Sequence, residues 1–292
     1  MNKFLAERYM QMFGSDFRMF EQSISKPMPK YIRVNRMRID NDKLKKRLEK
    51  KGFILKKRMK NCFLVKRGSP LGATTEYLLG YYIIEDWTSM IPVLALNPKG
   101  VVWDMCASPG VKTTHLSEEM RNKGVIVATD YDKKRMNSLA FNCMRMGTKN
   151  VVAYNRKAED IEYDFDGILL DAPCSGTGII RKDATRKRVN KREIMKFQKI
   201  QKLLMDSAIN NLKTGGTLVY STCSMEPEEN ECVVEYAMEH GMNLEKINIE
   251  KANAMKGFTE VLGYNFPEEM KKTIRIMPYE SSGFFVAKMV KK

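Results

Sequence analysis

Short apolar runs punctuate the second two thirds of the chain, at VVWDM (101–105), VIVATD (125–130), VVAYN (151–155), DGILLD (166–171) and TLVYSTC (217–223). Each is brief and nearly continuous, as a strand buried on both faces requires. Stretches with helical spacing lie between them, most clearly over 132–146 and 192–212. Strand alternating with helix predicts an α/β fold built on a mainly parallel, Rossmann-like sheet.

The first third is patterned differently. Leu5, Tyr9, Met12 and Phe13 recur at helical spacing, so the first ~25 residues read as short amphipathic helices. Pro27 and Pro29 then break the chain. A small α/β unit follows: a strand over 31–39, a helix over 41–52, and strands at FILKK (53–57) and CFLVKR (62–67). In that helix Leu44 and Leu48 stand one turn apart and face inward, and Gly52 marks its stop. The stretch GSPLGAT (68–74) reads as a linker. The predicted organisation is therefore a small unit over 1–72 and a larger one over 73–292. The end, TIRIMPYESSGFFVAKMV (273–290), predicts two strands joined by a turn at Ser281–Gly283.

Composition narrows the class. With 292 residues, 43% of them hydrophobic, the chain can bury a proper core. No run approaches the ~18 apolar residues that span a bilayer, and the N-terminus lacks a signal-peptide core. A cytoplasmic location and a monomeric state are the expectations. Six cysteines lack the paired spacing of a zinc site or disulfide framework. Two histidines leave little room for chemistry on a histidine base.

Charge has a location as well as a size. The formal net charge is +16. Residues 42–60 hold 10 Lys/Arg against 2 Asp/Glu, and residues 181–202 hold 10 against 2. These two segments account for the whole excess. Two concentrated basic patches on a neutral body suit a polyanion, which favours nucleic acid over a merely solvated lysine-rich surface. Lys43, Lys46, Arg47 and Lys50 on the first patch, with Arg181, Lys182, Arg186 and Arg188 on the second, are the candidate phosphate contacts.

Two strand ends carry the candidate chemistry. Cys174 lies in DAPCSGTG (171–178) and Cys223 in YSTCSMEPEENE (220–231). Both follow apolar runs, which places them at the sheet rim where such folds bind ligands. A thiolate is a soft nucleophile able to add to an electron-poor pyrimidine ring. A third strand end, DMCASPGVKTTHL (104–116), matches neither GxGxxG nor a P-loop. It still offers backbone amides at a helix start, a lysine (Lys112) for a carboxylate or phosphate, and Asp130 after the next strand for ribose hydroxyls. That set suits S-adenosylmethionine.

These motifs resemble the RNA cytosine-5 methyltransferases of the NOL/NOP/Sun family, in a layout similar to compact archaeal tRNA enzymes. The matching pieces keep the family's order: RVN (33–35), TEYLLGYYIIEDWTSMIPVLALNP (75–98), DMCASPGVKTTHL, DAPCSGTG, YSTCSMEPEENE and RIMPYESSGFFVAK (275–288). The resemblance implies a seven-stranded S-adenosylmethionine-dependent methyltransferase domain with a small N-terminal RNA-binding unit, acting on tRNA or rRNA. It implies Cys223 as nucleophile at carbon-6 of cytosine, Cys174 as the group that assists release, and Asp171 at ring nitrogen 3. Asp171 would need a proton to donate there. The cofactor would lie along Cys106, Ala107, Ser108, Pro109, Gly110 and Val111, with Lys112, Asp130, Arg135 and Asp171 around it. No metal is implied. If the strands ending at Asp104, Asp171 and Cys223 lie side by side, loop, acid and nucleophile share one crevice.

The chain departs from the family at several places. Ser108 and Val111 replace Ala and Gly of the cofactor loop, and Lys157 falls near the usual adenine-binding aspartate, with Glu159 or Asp160 as substitutes. A common Gln is Glu85 or Asp86, and a common His is Tyr279. These substitutions keep alive a non-catalytic RNA-binding assembly factor. A DNA cytosine-5 methyltransferase, with Cys174 as nucleophile, is the other rival. For Cys62, Cys143 and Cys232 the expected role is a small buried hydrophobe, and Cys106 is expected to line the loop.

Overall fold

The computed structural model describes residues 1–68, 70–248 and 254–292; Ser69 of the expected linker lies outside them. Along the chain come α1 (Lys3–Phe13), α2 (Phe17–Ile24), β1 (Lys30–Val34), α3 (Asn41–Glu49), β2 (Ile54–Met59), β3 (Cys62–Arg67), α4 (Thr75–Leu78), β4 (Tyr82–Ile84) and α5 (Trp87–Leu96). The second half runs β5 (Val101–Asp104), α6 (Val111–Glu119), β6 (Val125–Thr129), α7 (Lys133–Met146), β7 (Val151–Tyr154), β8 (Phe165–Asp171), α8 (Lys191–Asn210), β9 (Leu212–Thr222) and α9 (Glu231–Glu239). Short strands β10 (Met242–Glu245), β11 (Ala254–Lys256), β12 (Glu260–Val261), β13 (Tyr264–Asn265) and β14 (Ile274–Ile276) precede the long β15 (Phe284–Lys291).

The large sheet has the order β11-β14-β15-β9-β8-β5-β6-β7, with β10 added on β15. Its five-strand half from β9 to β7 is parallel, as the alternating pattern predicts. The sheet has nine strands rather than seven. The excess comes from the outer edge of β15, which β14 pairs at Phe284–Val286 and β10 at Lys288–Lys291. The C-terminal hairpin forms where expected, with Ile276 opposite Phe284. The predicted strand over 31–39 stops at Val34. Asn35 ends it: its buried side-chain amide donates to the carbonyls of Gly80 and Met146, both 2.8 Å away, and its Oδ1 accepts from Met37 N. Helix α3 likewise ends at Glu49, three residues before Gly52.

The expected division at residue 72/73 is crossed twice. Strand β4 pairs with β1 and completes a four-stranded sheet of order β2-β3-β1-β4, so the small unit runs on to Ile84. The first two helices pack elsewhere. Leu5, Tyr9, Phe17 and Phe20 join the core of the large sheet beside Trp103, Phe165 and Tyr220.

A buried ion cluster fastens the small sheet to the cofactor-loop helix. Arg33 on β1 binds Glu85 at 2.6 Å and also pairs with Glu118 of α6, while its remaining nitrogen donates to Thr114 Oγ1 at 3.0 Å. All three charged groups are buried. Removing one partner of such a cluster leaves uncompensated charge in the interior. Arg33→Met is therefore expected to lower unfolding free energy by about 3 kcal/mol, checked by urea denaturation of the full chain.

Candidate active site

The sheet order places β5, β8 and β9 side by side, so their C-terminal ends at Asp104, Asp171 and Thr222 open onto one crevice. The loops after β8 and β9 bring Cys174 and Cys223 together, Sγ to Sγ 3.1 Å, as free thiols. Contact between backbones fixes that approach. Gly178 N donates to Cys223 O at 2.8 Å, and Gly283 N donates to Gly178 O at 2.8 Å. A Cβ at Gly178 would stand 2.5 Å from Gly283 O and 2.7 Å from Cys223 O. Only glycine lets these three segments meet.

Below the sulfurs sits one buried carboxylate, Glu229. Its Oε2 accepts from Ser175 N at 2.8 Å and from Gln201 Nε2 of α8 at 3.0 Å. Its Oε1 accepts from Ser224 Oγ at 2.7 Å and from Ser175 Oγ. Ser175 follows Cys174 and Ser224 follows Cys223, so one side chain holds the residue after each thiol. The other glutamates of EPEENE are held in turn. Arg8 of α1 takes Glu226 at 2.9 Å and Glu228 at 2.6 Å, and Arg275 takes Glu231 at 2.7 Å.

The two thiols act on each other. Cys174 is pushed well above the ordinary thiol range by its hydrogen bond with Cys223, by burial and by the charges of Cys223 and Glu229. Either sulfur can donate in the contact between them. Burial raises Glu229 to about 7 despite its donors. Burial also raises Asp104 to about 7, opposed by the Thr113 hydroxyl 2.7 Å from its Oδ2. Asp171 accepts from Lys112 Nζ at 2.7 Å and from Ser221 Oγ at 2.8 Å. Burial opposes the charge on Lys112, but the Asp171 carboxylate outweighs it and the ammonium is raised overall. Asp171 would need a proton to donate to the base; here both its oxygens accept, one from the Lys112 ammonium and one from the Ser221 hydroxyl.

Beside the thiols lies a cavity of about 390 Å³, lined in part by Cys106, Ser108, Asp130, Arg135, Asp171, Cys174 and Cys223. The structure thus brings both cysteines, the acid and four of the expected cofactor residues to one wall. Ala107, Pro109, Gly110, Val111 and Lys112 are not among its lining residues. Gly110 has φ +94°, and a Cβ there would meet Leu139 at 2.9 Å. Val111 opens α6 and its carbonyl accepts from Arg33, so its bulk lies outside the cavity lining. Asp130 accepts from Ser108 N at 3.2 Å, and Arg135 donates to Ser108 O, so the loop is braced from the second strand end. Lys157 does line the cavity, and Glu159 lines it too; Asp160 does not.

The eight candidate phosphate contacts separate into two sets. Arg47 pairs with buried Glu76 at 3.1 Å, and Lys43 with Asp40 at 3.2 Å. Arg181 donates to the carbonyls of Lys26, Pro27, Pro278 and Tyr279. Arg186 lines the cavity and binds Asp183 at 3.0 Å and Ser175 O at 3.3 Å. Lys46, Lys50, Lys182 and Arg188 remain exposed.

Three features carried no sequence signal strong enough to name them: the Glu229 clamp, the Arg33 cluster and the grip of α1 on EPEENE. Each joins residues dozens to hundreds of positions apart. Tyr82 and Trp87 are buried in the core and Tyr81 is half-buried, and among the described residues no cluster suited to a metal occurs.

The five-strand parallel core with this rim matches the fold of solved methyltransferase structures. The chain belongs to the 16S rRNA methyltransferase RsmB/F family, whose profile matches residues 91–290. It is 35% identical to the tRNA (cytosine(49)-C(5))-methyltransferase of Pyrococcus abyssi, over 99% of this chain and 96% of that protein. It is 36% identical to the mouse 28S rRNA (cytosine-C(5))-methyltransferase over 99% of its own length, yet spans only 38% of that protein. NSun6 from Pyrococcus horikoshii, solved with the S-adenosylmethionine analogue SFG, superposes with a TM-score of 0.87 at 25% identity, covering 99% of this chain and 98% of that one. Among the described residues no helix is long and apolar enough to cross a membrane.

Proposed function

We propose that the chain methylates carbon-5 of cytosine in RNA, tRNA before rRNA, through a transient bond between Cys223 and carbon-6 of the base. The single observation that carries this is the pair of thiols 3.1 Å apart, lining one cavity with Asp171. The near-equal length of the Pyrococcus abyssi tRNA enzyme supports tRNA; the likeness to the mouse 28S rRNA enzyme supports rRNA as the second reading. A cytoplasmic monomer is the accompanying proposal.

The residues fit S-adenosylmethionine. A cavity of about 390 Å³ falls within the range of small-ligand sites. Asp130 offers acceptors for ribose hydroxyls, Glu159 an acceptor for the adenine amino group, and the loop from Cys106 to Ser108 polar backbone. When bound, the cofactor supplies an electrophilic methyl group. The chain's own task is to make carbon-5 nucleophilic.

Carbon-5 of cytosine is a poor nucleophile until a thiolate adds at carbon-6 and leaves enamine density on it. Cys223 is assigned that addition. Charge then builds at ring nitrogen 3, where Asp171 orients the base edge and the Lys112 ammonium behind it balances the charge. After methylation carbon-5 gives its proton to solvent water, that electron pair re-forms the carbon-5–carbon-6 double bond, and the carbon–sulfur pair leaves on Cys223, whose departing thiolate the Cys174 S–H assists. The target base must leave its stack to reach this crevice, at about a few kcal/mol. Lys46, Lys50, Lys182 and Arg188 are proposed to meet phosphates, while Arg181 and Arg186 shape the mouth.

Bisulfite sequencing of tRNA and rRNA transcripts after incubation with the protein and S-adenosylmethionine tests this reading. The expected result is protected cytosine in tRNA. Protection only in rRNA would transfer the substrate assignment, and none in either would overturn the activity.

A further inference from the structure

A cavity of about 770 Å³, whose described lining shares no residue with the thiol site, is basic. Lys57, Arg58 and Lys60 of the β2–β3 hairpin form one wall, and Lys246 and Lys288 stand across from them, with Asn97 at the end of α5 between. None of its described lining residues is acidic. Lys288 is offset by Glu245 at 2.8 Å, whereas Lys57, Lys60 and Lys246 are exposed. Arg58 is spread over the Trp87 ring, 4.0 Å from its centroid, which stiffens the hairpin wall.

The groove is not isolated. Lys57 and Arg58 also line a neighbouring hollow with Lys26, Lys56 and Arg181, where Glu280 is the acidic residue of the described lining. Tyr31 of that hollow lines a third one, with Lys30 and Lys182 against Glu85 and Asp86. Lys182 is three residues from Ile179, which lines the catalytic cavity. Basic side chains therefore dominate the groove and the hollow beside it, while the third hollow, nearer the thiols, is balanced in charge. Like charges held on separate elements repel and cost stability unless a polyanion occupies the space between them.

We propose that this groove is a second contact for the RNA substrate, taking phosphodiesters of the same strand whose cytosine enters the crevice. The inference rests on the RNA-methylating reading and adds where the substrate lies. Exposed phosphate-binding lysines supply affinity and salt dependence rather than chemistry.

The test compares two variants of equal charge change. One is Lys57→Glu with Lys246→Glu, on facing walls of the groove. The other is Lys123→Glu with Lys149→Glu, exposed positions beside the N-terminal ends of β6 and β7, remote from the crevice. Fluorescence anisotropy with a labelled tRNA transcript gives Kd over a range of salt. The groove variant is expected to bind about tenfold or more weakly and to lose about two from its log–log salt slope. S-adenosylmethionine affinity and thermal midpoint should stay as in the wild type. Equal behaviour of the two variants, or wild-type binding by the groove variant, would overturn the proposal. A groove effect in a protein that methylates no RNA would sink the activity and leave the groove; full methylation with no groove effect would do the reverse.

Discussion

Cys223→Ala is expected to abolish methyl transfer, while Cys174→Ala is expected to accumulate a covalent protein–RNA complex. The two outcomes differ because the proposed roles of the sulfurs differ, although they stand 3.1 Å apart. Without the sulfur at 223 no addition at carbon-6 occurs, and carbon-5 stays inert. Removing a sole nucleophile costs roughly ten-thousandfold or more in kcat. Cys174 is assigned no part in the addition; its loss slows the step in which the methylated base departs. Methyl incorporation and denaturing gels with labelled RNA measure both. A covalent complex formed by Cys223→Ala would assign the nucleophile to Cys174, as in the DNA enzymes, and would refute the reading.

Much of this site was legible because its chemistry is local. DAPCSGTG and STCSMEPEENE each announce a strand end with a thiol, and parallel order follows from strand–helix alternation. The identity of the clamps was not legible, because they are set by tertiary contact. Nothing adjacent to Glu229 in sequence says that it will accept from Ser175, 54 positions earlier. The acidic run EPEENE looks like a solvated stretch, yet Glu226, Glu228, Glu229 and Glu231 are all buried and partnered. Charge misled in the other direction too. Arg181 and Arg47 belong to basic patches, but backbone carbonyls and Glu76 engage them. The β1 boundary failed for a similar reason: MRI (37–39) has strand-like composition, but the side chain of Asn35 satisfies carbonyls from two other segments and turns the chain.

Glu229 yields the second large effect. Glu229→Ala deprives the Ser175 amide, the Gln201 amide and two serine hydroxyls of their acceptor at once. The residues after both cysteines then lose their common anchor, and a displacement of about 1 Å at a reacting atom can cost roughly a hundredfold in rate. A loss of about a hundredfold or more in kcat is expected. KM for RNA should change little, since the phosphate contacts lie elsewhere. Glu229→Gln separates anchoring from charge, because an amide oxygen can serve the Ser175 and Gln201 donors while its NH2 faces hydroxyls able to accept. That variant should keep most of the rate and differ instead in its stability against pH. Glu229 is raised in the folded protein to about 7 from 4.5, so folding favours its protonated form. Its contribution is complete below about pH 4.5 and is lost as pH rises to about 7, where the buried carboxylate must ionise. Urea unfolding across that window should show the wild type losing roughly 3 kcal/mol more than Glu229→Gln, the remaining slope coming from Asp104, also raised to about 7. Equal slopes in the two proteins would mean that the carboxylate is not held protonated beneath the sulfurs. Full activity in Glu229→Ala would mean that the thiols find their separation without it.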